Sequence, residues 1–326
     1  MKVKNQFTTL IKCDLPIIVA PMFIVSTPEL VTQSSEAGGI GTIPTLNFRT
    51  TEKLNEGLIE IKSKTKKPFG VNLIVHKSNQ RWREDLDICA QHQVPFYITS
   101  LGSPKDVIQK VKGYGGLVFC DVTNTKHAKK VLDHGADGII AVCAGAGGHS
   151  GPHSPFALIS ELRQMTDKPI IAAGAIANGA SILSALALGA SGVSVGTRFI
   201  ASTEAQASDE YKNAILQAKS ENIQKSQKLT GIPASVIRTA ELDRLFKSPG
   251  IIEKIIFLLE SKNQGKTSFS KWLRKTFNYD WNWKNVWSAG ESVGQIQTIK
   301  PVHQIFKDLT QEMEEHLAQL NSSFLK

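Results

Sequence analysis

The sequence predicts an α/β fold, a (β/α)8 TIM barrel followed by a smaller C-terminal helical subdomain. Three observations predict it. Eight short apolar runs follow one another between residues 15 and 199, each joined to the next by a stretch with helical signals. Apolar runs linked by helices are the pattern of parallel strands buried on both faces, and eight such units favour a closed barrel over an open doubly wound sheet. From about residue 203 the alternation stops, so the 326 residues divide into a barrel over 1–202, a helical lid over 203–300 and a C-terminal helix over 301–326 that packs on the body.

Taken in order, the run from Leu15 to Met22 is the first strand, stopped by Pro21 near its end. Ser26-Thr27-Pro28-Glu29 then starts a helix, with Thr27 as N-cap and Pro28 at the first helical position, where a missing N–H costs nothing. That helix ends at Gly38-Gly39, and Ile40 to Pro44 is the second strand. A helix over 51–64 leads to the strand Phe69 to Val75, and a helix near 79–92 leads to the strand Phe96 to Ser100. A helix opening at Ser103-Pro104 precedes the fifth strand, Gly116 to Val122, and a helix carries Lys126 to Leu132. Gly135-Ala136-Asp137-Gly138 ends that helix and enters the sixth strand, which runs to Cys143. Gly189-Ala190-Ser191-Gly192 repeats the device: it closes a helix over 179–188 and opens the eighth strand, Val193 to Phe199. A helix near 155–165 and the seventh strand, Pro169 to Ala175, lie between.

In the appendage, Ser248 to Leu259 and Ser268 to Phe277 read as helices, the first with Ser248 as N-cap and Pro249 at the first helical position. Trp281, Trp283 and Trp287 fit either anchors of a small core or a surface for stacking on a flat ligand. Near the chain end, Ile305, Leu309, Met313 and Leu317 recur at i, i+4 spacing, the mark of one buried helix face.

Composition narrows the function classes. A hydrophobic fraction of 41% with 21% charged residues is that of a globular protein with a large core. The net charge of +9 is spread over the chain: Lys62 to Lys67 and Lys129-Lys130 carry no interleaved aromatic residues, so no nucleic-acid surface is read. No run reaches about 18 uninterrupted apolar residues, and the first residues lack a signal segment, so a cytoplasmic protein without membrane contact is expected. Cys13, Cys89, Cys120 and Cys143 show no C-x-x-C spacing and are read as free thiols, with no metal site.

In a parallel barrel the chemistry sits at the C-terminal ends of the strands. Those ends carry Ala20-Pro21-Met22, Asn72, Asp121, Gly147-Gly148-His149, Ala173-Gly174-Ala175 and Gly196-Thr197. The small residues of the last two sets, with the Thr197 hydroxyl, can cradle a phosphate through backbone N–H groups. Gly145-x-Gly147 does not extend to a dinucleotide fingerprint, because Ser150 stands where the third glycine would fall. His149 is the strong titratable group among these ends, and Asp121 the second.

With these residues placed, the chain resembles the nitronate monooxygenase family (2-nitropropane dioxygenases), related to the flavin-dependent enoyl-acyl-carrier-protein reductases. The likeness rests on Ala20-Pro21-Met22 with Ser26-Thr27-Pro28-Glu29-Leu30, on Ala37-Gly38-Gly39-Ile40-Gly41, on Gly70-Val71-Asn72-Leu73 and on Ala146-Gly147-Gly148-His149-Ser150-Gly151. It continues through Ile171 to Ile176, Gly189-Ala190 and Gly196-Thr197-Arg198-Phe199, and reaches the appendage at Gly231-Ile232-Pro233-Ala234 and Trp287-Ser288-Ala289-Gly290. The resemblance implies an FMN-dependent oxidoreductase with His149 as catalytic residue. Ala20, Pro21, Met22, Asn72, Asp121, Gly147, Gly148, Ala173, Gly174, Ala175, Gly196 and Thr197 are then cofactor-binding. Asp121 stands where some relatives have lysine, and uncharged Val142 to Gly145 precede the histidine motif where many have an acid or glutamine.

The implied reaction is oxidation of a nitroalkane or nitronate by dioxygen to a carbonyl compound and nitrite. A neutral imidazole can take the acidic C–H proton of a nitroalkane. The alternative on the same motifs is an NAD(P)H-dependent FMN reductase acting on an enoyl thioester or a quinone. A flavin-free phosphate-binding barrel and a non-catalytic flavin binder are the other readings. The sequence does not report the oligomeric state, for which a homodimer is the candidate.

Overall fold

The computed structural model describes residues 1–76, 78–226, 233–239, 242–243 and 286–324. Eight parallel strands close into a barrel in chain order: β1 (Ile17–Val19), β2 (Ile40–Pro44), β3 (Gly70–Ile74), β4 (Phe96–Ser100), β5 (Leu117–Val122), β6 (Gly138–Val142), β8 (Ile170–Ala173) and β9 (Gly192–Val195). The last strand returns to the first, Ile17 opposite Val193 and Val19 opposite Val195, so no sheet edge is left open. The crossovers are α2 (Pro28–Glu36), α3 (Thr51–Lys64), α4 (Trp82–Gln91), α5 (Lys105–Lys112), α6 (Thr125–Asp133), α7 (Pro155–Met165) and α8 (Gly179–Ala187).

Alternation along the strands divides the core in two. Ile18, Ile40, Phe96, Ile98, Phe119, Ile140 and Ile171 fill the barrel interior, while neighbours such as Ile17, Val19, Tyr97, Val118 and Ile139 face the helices. The lower end of the interior is plugged by α1 (Gln6–Ile11), whose Phe7 and Ile11 join the inner cluster, Phe7 meeting Phe119 edge-on at 5.9 Å. The sequence reading does not assign this helix. Six residues are too few for an apolar period, and what makes them helical is a capping box between Asn5 and Thr8 together with the barrel beneath.

The expected punctuation is present. Thr27 caps α2, accepting from the Leu30 N–H at 3.0 Å, with Pro28 in its first turn. Gly135 and Gly189 take left-handed backbone, φ +91° and +101°, where β-carbon sterics exclude most residues. The next residues, Ala136 and Ala190, close the helix ends on the carbonyls of Val131 and Ala185.

Three expectations are corrected. The eighth strand stops at Val195, and Thr197–Ile200 is a short helix, α9, capped by Gly196. The described part of the segment after residue 203 is not wholly helical: α10 (Asp209–Gln217) is followed by β10 (Ile223–Ser226) and β11 (Ala234–Ile237). These two strands form an antiparallel sheet with β7 (Gly148–His149), in the order β10-β11-β7. A local reading missed them because four-residue strands are too short to carry a period, and the β7 partner of β11 is remote in the chain. Finally, the helix Val302–Phe324 packs on α2 and α8 through Val302, Ile305, Phe306, Leu309 and Met313, whereas Leu317 is exposed one turn beyond the contact. The helices expected over 248–259 and 268–277, Trp281, Trp283, Gly231 and Ile232 lie outside the described residues.

Among the described residues, no helix is long and apolar enough to cross a membrane. The same residues hold no group of three or more His, Cys, Asp or Glu that could bind a metal ion. All four cysteines are free thiols, three of them buried.

Candidate active site

The strand ends gather at one mouth. β1 and β9 are paired there, and the Ala20 N–H continues their ladder to the Val195 carbonyl at 2.9 Å. Just beyond, Gly196 faces a hollow: a β-carbon added there would stand 3.6 Å from Ala20 Cβ and 3.9 Å from Met22 Sδ, ordinary contact distances. Gly196 and Thr197 open the first turn of α9, whose leading N–H groups have no acceptor within the helix. A small backbone-lined cradle between β1 and β9 therefore fits an anionic group. Met22 is held in place by a hydrogen bond from its N–H to Ser26 Oγ at 3.0 Å and by Asn47, whose Nδ2 donates to the Met22 carbonyl at 3.1 Å.

The other glycines divide into two kinds. A β-carbon at Gly147 would come within 2.8 Å of the Gly290 backbone nitrogen, and one at Gly174 within 2.8 Å of the Ala144 carbonyl oxygen. Close approach of backbone to backbone accounts for both. Gly145 accepts from the N–H groups of Ala175 at 3.2 Å and Glu291 at 2.9 Å, so the Ala175 N–H is committed inside the protein. The Thr197 hydroxyl accepts from the Gly290 N–H at 2.9 Å and keeps its own hydrogen to donate. Gly148, by contrast, has φ +63° and nothing within 4 Å of its added β-carbon. Gly174 carries a further cost for any side chain, since its φ is +130°. Gly174→Ala is expected to lower stability by about 1–3 kcal/mol through strain and overpacking, read as a fall in Tm; an unchanged Tm would contradict this packing.

Gly290 is a site residue that sequence reasoning gave no role. It sits on the chain returning from the appendage, and it locks the His149 loop to α9 from outside the barrel. The anchor for this segment is Tyr211 on α10, which stacks on Trp287 at 5.7 Å and hydrogen-bonds the Ser288 carbonyl. Trp287 is thus in a core contact. Arg198 and Phe199, although part of the same motif as Gly196 and Thr197, point elsewhere: Arg198 donates to the Thr298 carbonyl at 3.0 Å and Phe199 packs on Phe306.

His149 is presented by β7. Its partner residue in the sheet is Ala234, and Ser150 Oγ and Ser235 Oγ meet at 3.1 Å beside it. The residue as a whole is exposed at the mouth, yet the atoms crowding its ring desolvate it and hold its pKa below the ordinary histidine value.

Across the mouth, Asn72, Ser100 and Asp121 form a chain over the ends of β3, β4 and β5. Asn72 Nδ2 donates to Ser100 Oγ at 2.8 Å and to the Ile98 carbonyl at 3.1 Å, and Ser100 Oγ donates to Asp121 Oδ2 at 2.6 Å. Desolvation pushes the Asp121 carboxyl up to about 6, with the Ser100 hydrogen bond acting the other way. Ser100 is the second residue that sequence reasoning missed; as the last residue of a strand with an acid one strand over, it had no signal without the register.

A closed (β/α)8 barrel with a histidine and a backbone cradle at the C-terminal strand ends defines an enzyme built on the barrel plan. Comparison with known proteins supplies the family. The family model described as nitronate monooxygenase matches residues 4–83 and 77–312, and the chain belongs to that family, whose chemistry is that of oxidoreductases. It is similar to a "(3aS,4S,5R,7aS)-5-hydroxy-7a-methyl-1-oxo-octahydro-1H-indene-4-carboxyl-CoA dehydrogenase" of Rhodococcus jostii, 33% identical over 72% of this chain and 66% of that protein. It is also similar to a nitronate monooxygenase of Pseudomonas aeruginosa, 31% identical over 65% of this chain and 73% of that one. Among solved structures, FabK from Thermotoga maritima superposes with a TM-score of 0.82 at 30% identity, covering 99% of this chain and 100% of that one.

Proposed function

We propose that the protein is an FMN-dependent oxidase of nitronates and nitroalkanes, using dioxygen and yielding a carbonyl compound and nitrite. The observation that carries this reading is His149, an imidazole presented on a glycine-flanked strand at the barrel mouth, its pKa lowered by desolvation. Gly196 and Thr197, beside Ala20 and Met22, would hold the ribityl phosphate, with Gly148, Ala173 and Pro21 lining the approach and Asn72 and Asp121 facing the ring. Bound there, FMN supplies the two-electron redox chemistry and the passage of electrons to dioxygen. His149 takes the acidic C–H proton of a nitroalkane onto a ring nitrogen, leaving the nitronate anion. With a nitronate as substrate, it need only hydrogen-bond the anion. The sheet that β7 forms with β10 and β11 holds the His149 backbone in place.

The pH dependence follows in sign. Because the His149 pKa is lowered by desolvation, the base form persists below the ordinary value of about 6.5. The acid limb of kcat/KM for a nitroalkane is expected below about 6.5, and with a preformed nitronate the limb due to His149 should weaken. A limb above about 7 would contradict a desolvated neutral base. The decisive test of the function is aerobic turnover of propionate 3-nitronate, with nitrite as readout.

A second reading is favoured by a specific observation. Phe23, Ile24 and Leu101 stand exposed on loops that leave the strand ends, and Phe156 is exposed in the first turn of α7, apolar surface suited to a lipophilic acyl group. The relatives named for a CoA-ester dehydrogenase and FabK point the same way. In that reading the substrate is an acyl thioester, and His149 handles a proton on it. Bleaching of the bound flavin by NADH or NADPH without air separates the two.

A further inference from the structure

The hydrogen-bond chain at the ends of β3, β4 and β5 has a fixed direction. The Ile98 carbonyl can only accept, so the Asn72 side-chain atom 3.1 Å from it is the NH2 group. Ser100 has one hydrogen, and an ionised Asp121 carboxylate can only accept it, so Ser100 must in turn accept from Asn72 Nδ2. Two acceptors on different residues thus claim the Asn72 amide nitrogen. The Asn72 oxygen has no partner among the described residues and is not sealed from solvent, although the residue is only 6% exposed. Asp121 forms no ion pair among the described residues, so nothing cationic competes for Ser100.

We propose that Asp121 and Ser100 are positioning residues that lock the Asn72 amide with its oxygen toward the mouth, making this sector an acceptor-only edge that recognises the ring N–H of the flavin. This rests on the flavin reading above. The oxidised isoalloxazine ring has a single N–H donor, at N3 of its pyrimidine edge. An acceptor that cannot turn over to offer its NH2 group selects for that donor, and a buried acceptor left unmatched costs about 1–3 kcal/mol.

The test compares binding of FMN with that of an FMN analogue methylated at ring N3, by fluorescence titration of the flavin-depleted protein at about pH 8, where Asp121 is ionised. The parent should prefer FMN by roughly 5- to 150-fold, the factor corresponding to about 1–3 kcal/mol. The methyl group also adds bulk, so the variants Ser100→Ala and Asp121→Asn separate the causes. Loss of the Ser100 acceptor leaves only the 3.1 Å bond to the Ile98 carbonyl to hold the Asn72 amide, so the preference should shrink severalfold in both, with the parent's Tm and circular dichroism showing that the fold persists. Equal binding of the two flavins by the parent would overturn the proposal, as would a preference unchanged in both variants, which would leave the Ile98 carbonyl or steric exclusion as its cause and give Ser100 and Asp121 no positioning role. Binding of neither flavin by the parent would remove the flavin reading and this inference together.

Discussion

Replacing His149 by alanine should leave flavin content at the parent level and slow turnover of a neutral nitroalkane by about 10² to 10⁴, the usual loss when a general base is removed. The side chain is presented on β7 and lies outside the Gly196 hollow, so its removal should spare the phosphate site. On a preformed nitronate the same variant should lose far less, because the proton is already gone. Equal losses on both substrates would assign His149 to positioning or polarising the substrate, and no loss on either would leave it a structural residue of the β7 sheet. His153 is the internal control. It is exposed, and what it gives the loop is its backbone carbonyl, which accepts from the Ala144 N–H at 2.7 Å. His153→Ala keeps that bond and should behave as the parent.

Gly196→Asp should yield a folded, colourless protein that takes up no FMN. The β-carbon itself fits, at 3.6 Å from Ala20 and 3.9 Å from Met22, so the fold tolerates it. The carboxylate beyond it would occupy the hollow with negative charge, where a phosphate needs N–H donors and no competing anion. Gly196→Ala separates the terms: it adds bulk without charge and should weaken FMN binding less. Flavin bound to Gly196→Asp at the parent's affinity would move the phosphate site elsewhere on the mouth. A parent protein that is itself colourless and gains no flavin on incubation with FMN would remove the flavoenzyme reading.

The sequence by itself determined the barrel. Its strands and crossovers are set by signals that act within a few residues: an apolar run such as Ile139-Ile140-Ala141-Val142, a cap such as Thr27 before Pro28, a left-handed glycine such as Gly135 or Gly189. It also leads one to expect His149, Asn72, Asp121 and Gly196 near one face, because in a parallel barrel the strand order alone sends every C-terminal end to the same side. Tertiary structure decided what those residues touch. That Gly147 and Gly174 are packed by backbone while Gly196 faces a hollow depends on Gly290 and Ala144 on one side and Ala20 and Met22 on the other. That Ser100 meets both Asn72 and Asp121 depends on the register of three strands. That His149 is a strand residue depends on Ala234, far along the chain. Local propensity acts over a turn or a strand, whereas a hydrogen-bond partner or a van der Waals neighbour is chosen by the closure of the barrel and the return of the appendage, which no stretch of sequence encodes alone.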